Sequence, residues 1–290
     1  MDETRRTIAE LVTRYQLEPS LRDVYVEGPF DASFIAWFLE SGGISDVAVY
    51  AITTVDVPAG VLDKHGLTLG EKQRLIAFAR EIVAVLDDSG QVTCIVDADL
   101  DYVFERVLAE HIVLLTDYPS IEAYLFQREL LAQWLSVTAR LNRSKVSEVI
   151  DSLPTLLSRL FLARCASLSL GWRMTWISVD AGVNKTKHGY VFDSQQFIDR
   201  LLQRNGRTTQ RADFLTEVEA LRGRLRRDPR HAMHGHDFVD LLTIAVRRAS
   251  RQRWLHSADA VLGSLAGAVR RESLENEPLF RALSARVRAQ

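Results

Sequence analysis

The sequence predicts an α/β fold in which helices flank a parallel sheet and a mainly helical region follows. Two short apolar runs, Val24 to Val26 and Val92 to Val96, each end in acidic residues. Apolar runs of this length between helix-like segments are typical of strands buried on both faces of a parallel sheet. After about residue 127 leucine and arginine recur at helical spacing, and this change predicts the helical region.

The order of elements in the first half favours the same fold class. Strands that alternate with helices form parallel sheets with right-handed crossovers. We expect, in order, a helix over 2–16, a strand at 22–27, a helix from Asp31 to Glu40, a strand at 47–52, a helix from Gly70 to Asp87, a strand from Val92 that carries Asp97 and Asp99, a short helix from Asp101, a strand at 111–115, and a helix that begins at Pro119-Ser120 and contains Glu122.

The second half is predicted to be helical, with one exception. Trp172 to Val179 is its only strand candidate. The predicted helices are Val149 to Leu170, Phe197 to Leu202, Phe214 to Leu225, Phe238 to Ala249 and Ala258 to Val269. The change in composition therefore predicts an α/β domain over 1–128 and an arginine-rich helical region over 129–290 that packs on it.

Composition limits the class of protein. The chain has 290 residues and 47% hydrophobic residues, enough for one large domain or two ordinary ones. Cys94 and Cys165 fall in a predicted strand and a predicted helix, which fits reduced thiols better than a disulfide framework. No apolar run reaches the roughly 20 residues that span a bilayer. We therefore expect a cytoplasmic protein that does not bind membranes.

The charge is divided unevenly. Residues 1–138 carry 10 Lys+Arg against 23 Asp+Glu, whereas residues 139–290 carry 26 against 15. A metal-dependent enzyme that acts on a polyanion needs both an acidic catalytic part and a basic binding part. The alternative is that the two halves neutralise each other across an interface.

Three carboxylates follow predicted strands: Glu27 after the first, and Asp97 and Asp99 at the end of the third. Ligands gather at the carboxyl ends of parallel strands, so these side chains should converge on one edge of the sheet. On a continuing strand, Asp97 and Asp99 would also face the same side. Crowded carboxylates repel each other unless a cation lies between them. Hard oxygen donors without histidine or thiolate nearby suit Mg²⁺ or Mn²⁺.

Four motifs in this order resemble the Toprim domain, which topoisomerases, bacterial primases and OLD-type nucleases share. They are Glu27-Gly28, Asp97-Ala98-Asp99, the stretch from Thr116 to Tyr124, and Gly235-His236-Asp237-Phe238. Together they resemble an uncharacterised bacterial Toprim family whose members include the nuclease effector of the PARIS anti-phage system, which works with an ABC-type ATPase. The motifs cover roughly residues 22–126, and only the Gly-His-Asp stretch lies beyond. The family would have a basic residue where this chain has Ala98.

The resemblance implies a Mg²⁺- or Mn²⁺-dependent endonuclease. Glu27, Asp97 and Asp99 would be catalytic metal ligands, and Asp31 and Glu122 would be further ligands. From the residues alone, Asp31 could equally be the N-cap of its helix, and Asp101 could cap the next one. Ser120 could cap the helix that contains Glu122, with Glu122 favouring its positive end.

Three further features each have one chemical and one structural interpretation: Lys72, Gly28 and a cluster of histidines. Lys72 opens a helix, and could stabilise a phosphate in the transition state or lie on the surface. Gly28 allows a close approach of the backbone to phosphate or a tight turn. The histidine cluster lacks a recognised zinc spacing, so a helix start with a His–Asp pair is favoured over a zinc site. Gly235-His236-Asp237 could instead reach the active site or nucleic acid. The cluster is His231, His234, His236 and Asp237.

The densest arginine run suits a nucleic-acid backbone, because guanidinium groups bind phosphates. Its predicted phosphate-binding members are Arg222, Arg224, Arg226 and Arg227. The alternative is that these arginines lie on a solvent-exposed face of a helix, or on a face that binds an acidic partner.

The sequence thus predicts a nuclease effector of anti-phage defence that a partner ABC-type ATPase holds in check. Its substrate would be DNA or an RNA such as tRNA, and the active form can be a homodimer. Two alternatives remain open: a primase-like nucleotidyl transferase, and a non-catalytic subunit that binds nucleic acid or a partner.

Overall fold

The computed structural model describes residues 5–86, 89–186 and 189–288, and it has an α/β fold. The predicted helix limits at residue 2 and at Asp87 lie outside these described residues. The strands are β1 Arg6–Thr7, β2 Asp23–Val26, β3 Ala48–Ala51, β4 Val55–Asp56, β5 Val92–Val96, β6 Val113–Leu115, β7 Val183–Thr186 and β8 Gly189–Phe192.

The α-helices are α1 Ile8–Leu17, α2 Pro29–Ser41, α3 Ala59–Lys64, α4 Glu71–Val85, α5 Arg128–Val137, α6 Arg143–Ser169, α7 Ser194–Arg204, α8 Arg211–Arg222, α9 Gly235–Ala249, α10 Ala258–Ala266 and α11 Pro278–Arg288. Short 3-10 helices cover Ile52–Thr54, Ser89–Gln91, Ile121–Leu125, Val179–Gly182, Thr208–Gln210, Pro229–Ala232, Arg253–His256 and Arg271–Ser273. Within the described ranges, no helix is both long and apolar enough to cross a bilayer.

Backbone contacts divide the chain into two compact units. The sheet unit contains Met1–Ala98, Arg106–Asp117 and Arg270–Gln290, and the helical unit contains Asp99–Glu105 and Tyr118–Val269. This division differs from the predicted boundary near residue 128. The chain enters the helical unit first at Asp99, and its last helix belongs to the sheet unit, which composition alone does not indicate.

The sheet unit has a four-stranded parallel sheet in the order β3-β2-β5-β6. β2, β3 and β6 lie within one or two residues of their predicted limits, and β5 begins at Val92 as predicted. β2 is central and pairs in register with both neighbours, so that Tyr25 lies opposite Tyr50 of β3 and Cys94 of β5. The chain leaves β2 toward β3 on one side, and β5 lies on the other side. The gap between the ends of β2 and β5 is therefore the topological switch point, where ligands bind in open α/β sheets.

Helices cover both faces of this sheet. On one face, Leu11 and Tyr15 of α1 and Phe78 of α4 pack in a core with Tyr25 and Cys94. Side chains alternate along a strand, so Val24 and Val26 face the other way.

The second covering layer contains α2 and α11. The rings of Phe38 on α2 and Phe280 on α11 lie 4.5 Å apart between centroids. The C-terminal helix α11, which follows the last helix in the predicted list, therefore completes the sheet unit.

In the helical unit, the long helix α6 packs with α7 and α8 around a core that includes Phe161, Cys165, Leu202 and Phe214. Both cysteines of the chain are buried and free. Burial raises the pKa of the Cys165 thiol to about 12, and it also raises the pKa of the Cys94 thiol. The free cysteines agree with the predicted reduced thiols, and the raised pKa values keep both thiols neutral near pH 7.

The predicted short helix from Asp101 is wrong, and residues 101–105 form turns instead. Asp99 and Glu105 have φ of 49° and 54°, in the left-handed region that interrupts a right-handed helix. The helix-like spacing of the apolar residues has another cause, because Leu100, Val103 and Phe104 pack in the core of the helical unit.

The predicted strand over Trp172 to Val179 is also wrong, because residues 172–178 are irregular. Its tryptophans pack against helices: the rings of Trp172 and Phe214 are stacked 5.7 Å apart, and those of Trp176 and Phe197 lie 5.8 Å apart. The strands of this unit are instead the antiparallel hairpin of β7 and β8.

Candidate active site

The switch point of the sheet unit holds three of the predicted site residues. Glu27 directly follows β2 and Asp97 directly follows β5. The main-chain N–H of Asp97 donates a hydrogen bond to Oε1 of Glu27 over 2.9 Å. Nζ of Lys72 donates to the main-chain carbonyl of Asp97 over 2.6 Å. The two side chains thus hold the backbone of Asp97 at both of its polar groups.

Lys72 reaches this position because of how α4 begins. The helix starts at Glu71, and its N-cap is Gly70, whose φ of 142° only glycine adopts without strain. Lys72 therefore lies in the first turn. Its ammonium group is directed at the end of β5 and not only at solvent, so the simple surface interpretation of Lys72 is wrong.

The turn after Glu27 begins α2. The helix starts at Pro29, two residues earlier than predicted, and its N-cap is Gly28. Asp31 is consequently not the N-cap. Its Oδ2 accepts a hydrogen bond of 2.9 Å from the main-chain N–H of Gly28. This contact occupies a donor that the helix itself leaves unsatisfied, and it holds the Asp31 carboxylate beside the residue that follows Glu27.

The predicted continuous strand through Asp97 and Asp99 is wrong. β5 ends at Val96, and the chain then turns. The main-chain N–H of Ala98 donates to Oγ1 of Thr116 over 2.9 Å, in the segment after β6. Asp99 has the left-handed φ given above, so the alternation of a strand does not apply to it.

Asp99 and Glu122 belong to the helical unit. The main-chain N–H of Asp99 donates to the carbonyl of Pro119 over 2.8 Å. Glu122 lies in the 3-10 helix Ile121–Leu125, whose N-cap residue is Ser120. The predicted cap is absent, because the side chain of Ser120 makes no capping hydrogen bond. Asp101, the other predicted cap, is buried in a turn and no helix follows it.

The Gly235-His236-Asp237 motif begins α9, as predicted, but the expected His–Asp pair is wrong. Asp237 is 2% exposed and binds Arg164 through both oxygens, with distances of 2.7 Å from Nε and 2.6 Å from Nη2. Arg164 lies on α6, and no local pattern in the sequence connects it with Asp237. The ion pair joins two helices that are far apart in the chain.

His234 precedes this helix and is partly buried, whereas His236 is exposed. Burial, followed by the positive charge of Arg164, lowers the pKa of His234 to about 4. Its Nδ1 is buried without a hydrogen-bond partner in the described part of the chain.

The predicted arginines lie near the end of α8. The helix ends at Arg222, so Arg224, Arg226 and Arg227 occupy the following loop and not the predicted helix to Leu225. All four side chains are exposed. Arg222 is paired with Glu219 at 3.0 Å, and the guanidinium carbon of Arg226 lies 4.6 Å from the ring centroid of Tyr102.

The donor set can be compared with the needs of a divalent ion. Within the described ranges, no group of three or more His, Cys, Asp or Glu side chains is arranged to hold a metal. Mg²⁺ commonly binds through only one or two carboxylates, with water and substrate phosphates completing its shell. Glu27 and Asp97 directly follow neighbouring strands, and their carboxylates are hard oxygen donors of the type that this mode of binding uses.

The sequence matches no protein-family model, and a comparison with curated proteins also finds no match. The functional interpretation therefore depends on the motifs and on the geometry of the two units.

Proposed function

We propose that this chain is a metal-dependent phosphodiesterase, an endonuclease of the Toprim type. The observation that supports it best is the junction of Glu27, Lys72 and Asp97 at the switch point of a parallel sheet. Two carboxylates and a lysine at the place where such sheets bind ligands suit a reaction on a phosphate.

In this proposal Glu27 and Asp97 would hold a Mg²⁺ or Mn²⁺ ion at the switch point of the sheet unit. The motifs also indicate Asp31, Asp99 and Glu122 as metal ligands. A bound ion of this kind polarises the scissile phosphate and activates a water molecule. Glu27 either ligates the ion or transfers a proton. The Asp97 amide fixes the direction of the Glu27 side chain, because it binds one of its two carboxylate oxygens.

Lys72 has two functions in the proposal. Its ammonium group keeps the end of β5 in place through the Asp97 carbonyl. It also supplies a positive charge at the end of β5, where a phosphate of the substrate would bind. A preorganised charge of this kind stabilises the additional negative charge of a phosphoryl-transfer transition state.

Nucleic acid, either DNA or an RNA such as tRNA, is the proposed substrate. The exposed arginines after α8 support this choice, because a flexible polyanion can bind to such a loop. From the motifs, we further propose a cytoplasmic effector of anti-phage defence that a partner ABC-type ATPase holds in check and that can act as a homodimer.

Purified protein should be incubated with Mg²⁺ or Mn²⁺ and with DNA or RNA, beside Glu27→Ala and Glu40→Ala. Glu40 is an exposed residue of the same helix that follows Glu27, so Glu40→Ala is a matched control. We expect cleavage by the wild type and by Glu40→Ala only. Mn²⁺ binding measured by calorimetry tests the metal site even if the partner is needed for activity.

Three outcomes separate the proposal from its alternatives. Polymer synthesis from added nucleotides would favour a nucleotidyl transferase. Binding of nucleic acid with no metal-dependent chemistry, and equal Mn²⁺ binding by wild type and Glu27→Ala, would favour a non-catalytic subunit. Wild-type cleavage by Glu27→Ala would refute the site.

A further inference from the structure

Gly235, the first residue of α9, lies against the side chains of Glu122 and Ser120 in the helical unit. A Cβ atom placed on Gly235 would overlap Oε2 of Glu122 and Oγ of Ser120, and would lie 2.7 Å from Cδ of Glu122. Gly235 is not among the glycines with positive φ, so its backbone conformation does not require glycine. The requirement for glycine here is space for the Glu122 carboxylate.

The position of Gly235 is fixed by the ion pair two residues later. Asp237 is buried and bound at both oxygens by Arg164 of α6. The guanidinium carbon of Arg164 in turn lies 4.2 Å from the ring centroid of Trp176. Bidentate Arg–carboxylate pairs restrict orientation as well as distance. The first turn of α9 is therefore a rigid surface for Glu122.

The start of α9 also suits a carboxylate electrostatically. Its N-cap residue, His234, makes no side-chain capping hydrogen bond. The first N–H groups of a helix lack intrahelical partners and carry a partial positive charge, which stabilises a nearby negative group. Ser120 provides a second polar group at this place. It is 7% exposed, and its Oγ has no hydrogen-bond partner among the described residues, so the hydroxyl can donate to a carboxylate there.

We infer that Gly235 is a positioning residue that sets the location of the Glu122 carboxylate. The motif then has a physical explanation: Gly235 leaves room for the carboxylate, and Asp237 anchors the helix turn that bounds it. The inference rests on the proposed function, in which Glu122 is a metal ligand. A substituent at Gly235 would displace the flexible end of the Glu122 side chain. We therefore expect it to change the Mg²⁺ concentration needed for cleavage more than the free energy of unfolding.

The test compares Gly235→Ala with Gly263→Ala. Gly263 lies within α10 of the same unit, and no atom lies within 4 Å of an added Cβ there. We expect Gly235→Ala to raise the Mg²⁺ concentration needed for half-maximal cleavage by about 10- to 100-fold, the usual effect of losing the support of a metal ligand. Gly263→Ala should keep the wild-type requirement, and both proteins should remain folded at the assay temperature.

A rescue variant separates positioning from a structural effect. Glu122→Asp shortens the side chain by one methylene and so moves the carboxylate away from position 235. Gly235→Ala combined with Glu122→Asp should therefore need less Mg²⁺ than Gly235→Ala alone. A structural defect at Gly235 would not be relieved in this way. Equal metal requirements of Gly235→Ala and Gly263→Ala would overturn the inference.

Different experimental results would refute the proposed function and this inference. A wild type that cleaves normally beside an unaffected Gly235→Ala refutes the inference alone. A wild type that neither cleaves nucleic acid nor binds Mn²⁺ refutes the proposed function, and with it the role of Glu122 as a metal ligand. Melting temperatures test the underlying contact separately: the loss caused by Gly235→Ala should be smaller when Glu122→Ala is also present, and strict additivity of the two losses would contradict the contact.

Discussion

Oε1 of Glu27 accepts a hydrogen bond of 2.9 Å from the main-chain N–H of Asp97, which joins the ends of two neighbouring parallel strands. Glu27, which the motif predicts to be catalytic, therefore also holds the backbone of Asp97 in the second acidic motif. Substitutions at Glu27 must distinguish these two contributions.

Glu27→Gln and Glu27→Ala make that distinction. The amide oxygen of Gln can accept the same hydrogen bond, so Glu27→Gln should keep the wild-type free energy of unfolding, whereas Glu27→Ala should lose about 0.5–1.5 kcal/mol. Both should lose cleavage activity by at least about 100-fold, because the carboxylate is absent. Urea unfolding and a metal-dependent cleavage assay give the two measurements. Wild-type activity of Glu27→Gln would contradict a role for the charge.

Lys72→Met tests the second contact at the end of β5. Loss of the donor to the Asp97 carbonyl, and of the positive charge, should lower cleavage about 100-fold. The side chain is partly exposed, so the free energy of unfolding should fall by only about 1 kcal/mol. Arg74→Met removes a positive charge from the same helix and is the matched control. Equal activities of the two variants would show that Lys72 contributes only general charge.

The arginines after α8 should differ in their contributions to binding. Arg222 is paired with Glu219 and Arg226 lies over Tyr102, whereas Arg224 and Arg227 have no ion-pair partner in the described part of the chain. Replacing Arg224 and Arg227 by Gln should therefore reduce the slope of log affinity against log salt by about 2. Replacing all four arginines should lower affinity further. Binding titrations at several salt concentrations measure both quantities.

Arg211→Gln is the control for that experiment, because Arg211 is paired with Asp199 on a neighbouring helix of the same unit. An unchanged salt slope in the Arg224 and Arg227 variant, together with loss of a partner protein in a pull-down, would identify the run as a protein-docking surface instead.

His234 should make stability depend on pH. Its pKa is about 4 in the folded chain, below its ordinary value of 6.5. Between these values the unfolded chain binds a proton that the folded chain does not, so stability falls as the pH falls from about 6.5 to 4. The loss can reach about 3 kcal/mol.

His234→Gln should remove this contribution. The free energy of unfolding should be measured at pH 7 and pH 4.5 for both proteins, and the two pH-dependent losses compared, since the carboxylates affect both alike. An equal loss in wild type and variant would show that burial of His234 does not depress its pKa.

The sequence by itself determined the four strands of the parallel sheet and the acidic residues at their ends. Buried strands have a local pattern of apolar residues, and the polarity rule of parallel sheets then places the following residues at one edge. The helices of the second half are determined in the same way by helical spacing. Two secondary-structure predictions, at Asp101 and at Trp172 to Val179, were wrong because apolar residues there pack into a distant core without the secondary structure that their spacing suggests.

Only the tertiary structure decided which distant residues meet. Arg164 with Asp237, Gly235 with Glu122, and Lys72 with the Asp97 carbonyl each join segments with no shared local pattern. The return of α11 to the sheet unit is of the same kind. The reason is physical: secondary structure depends on neighbours within a few residues, whereas these contacts depend on which helix and sheet surfaces pack together.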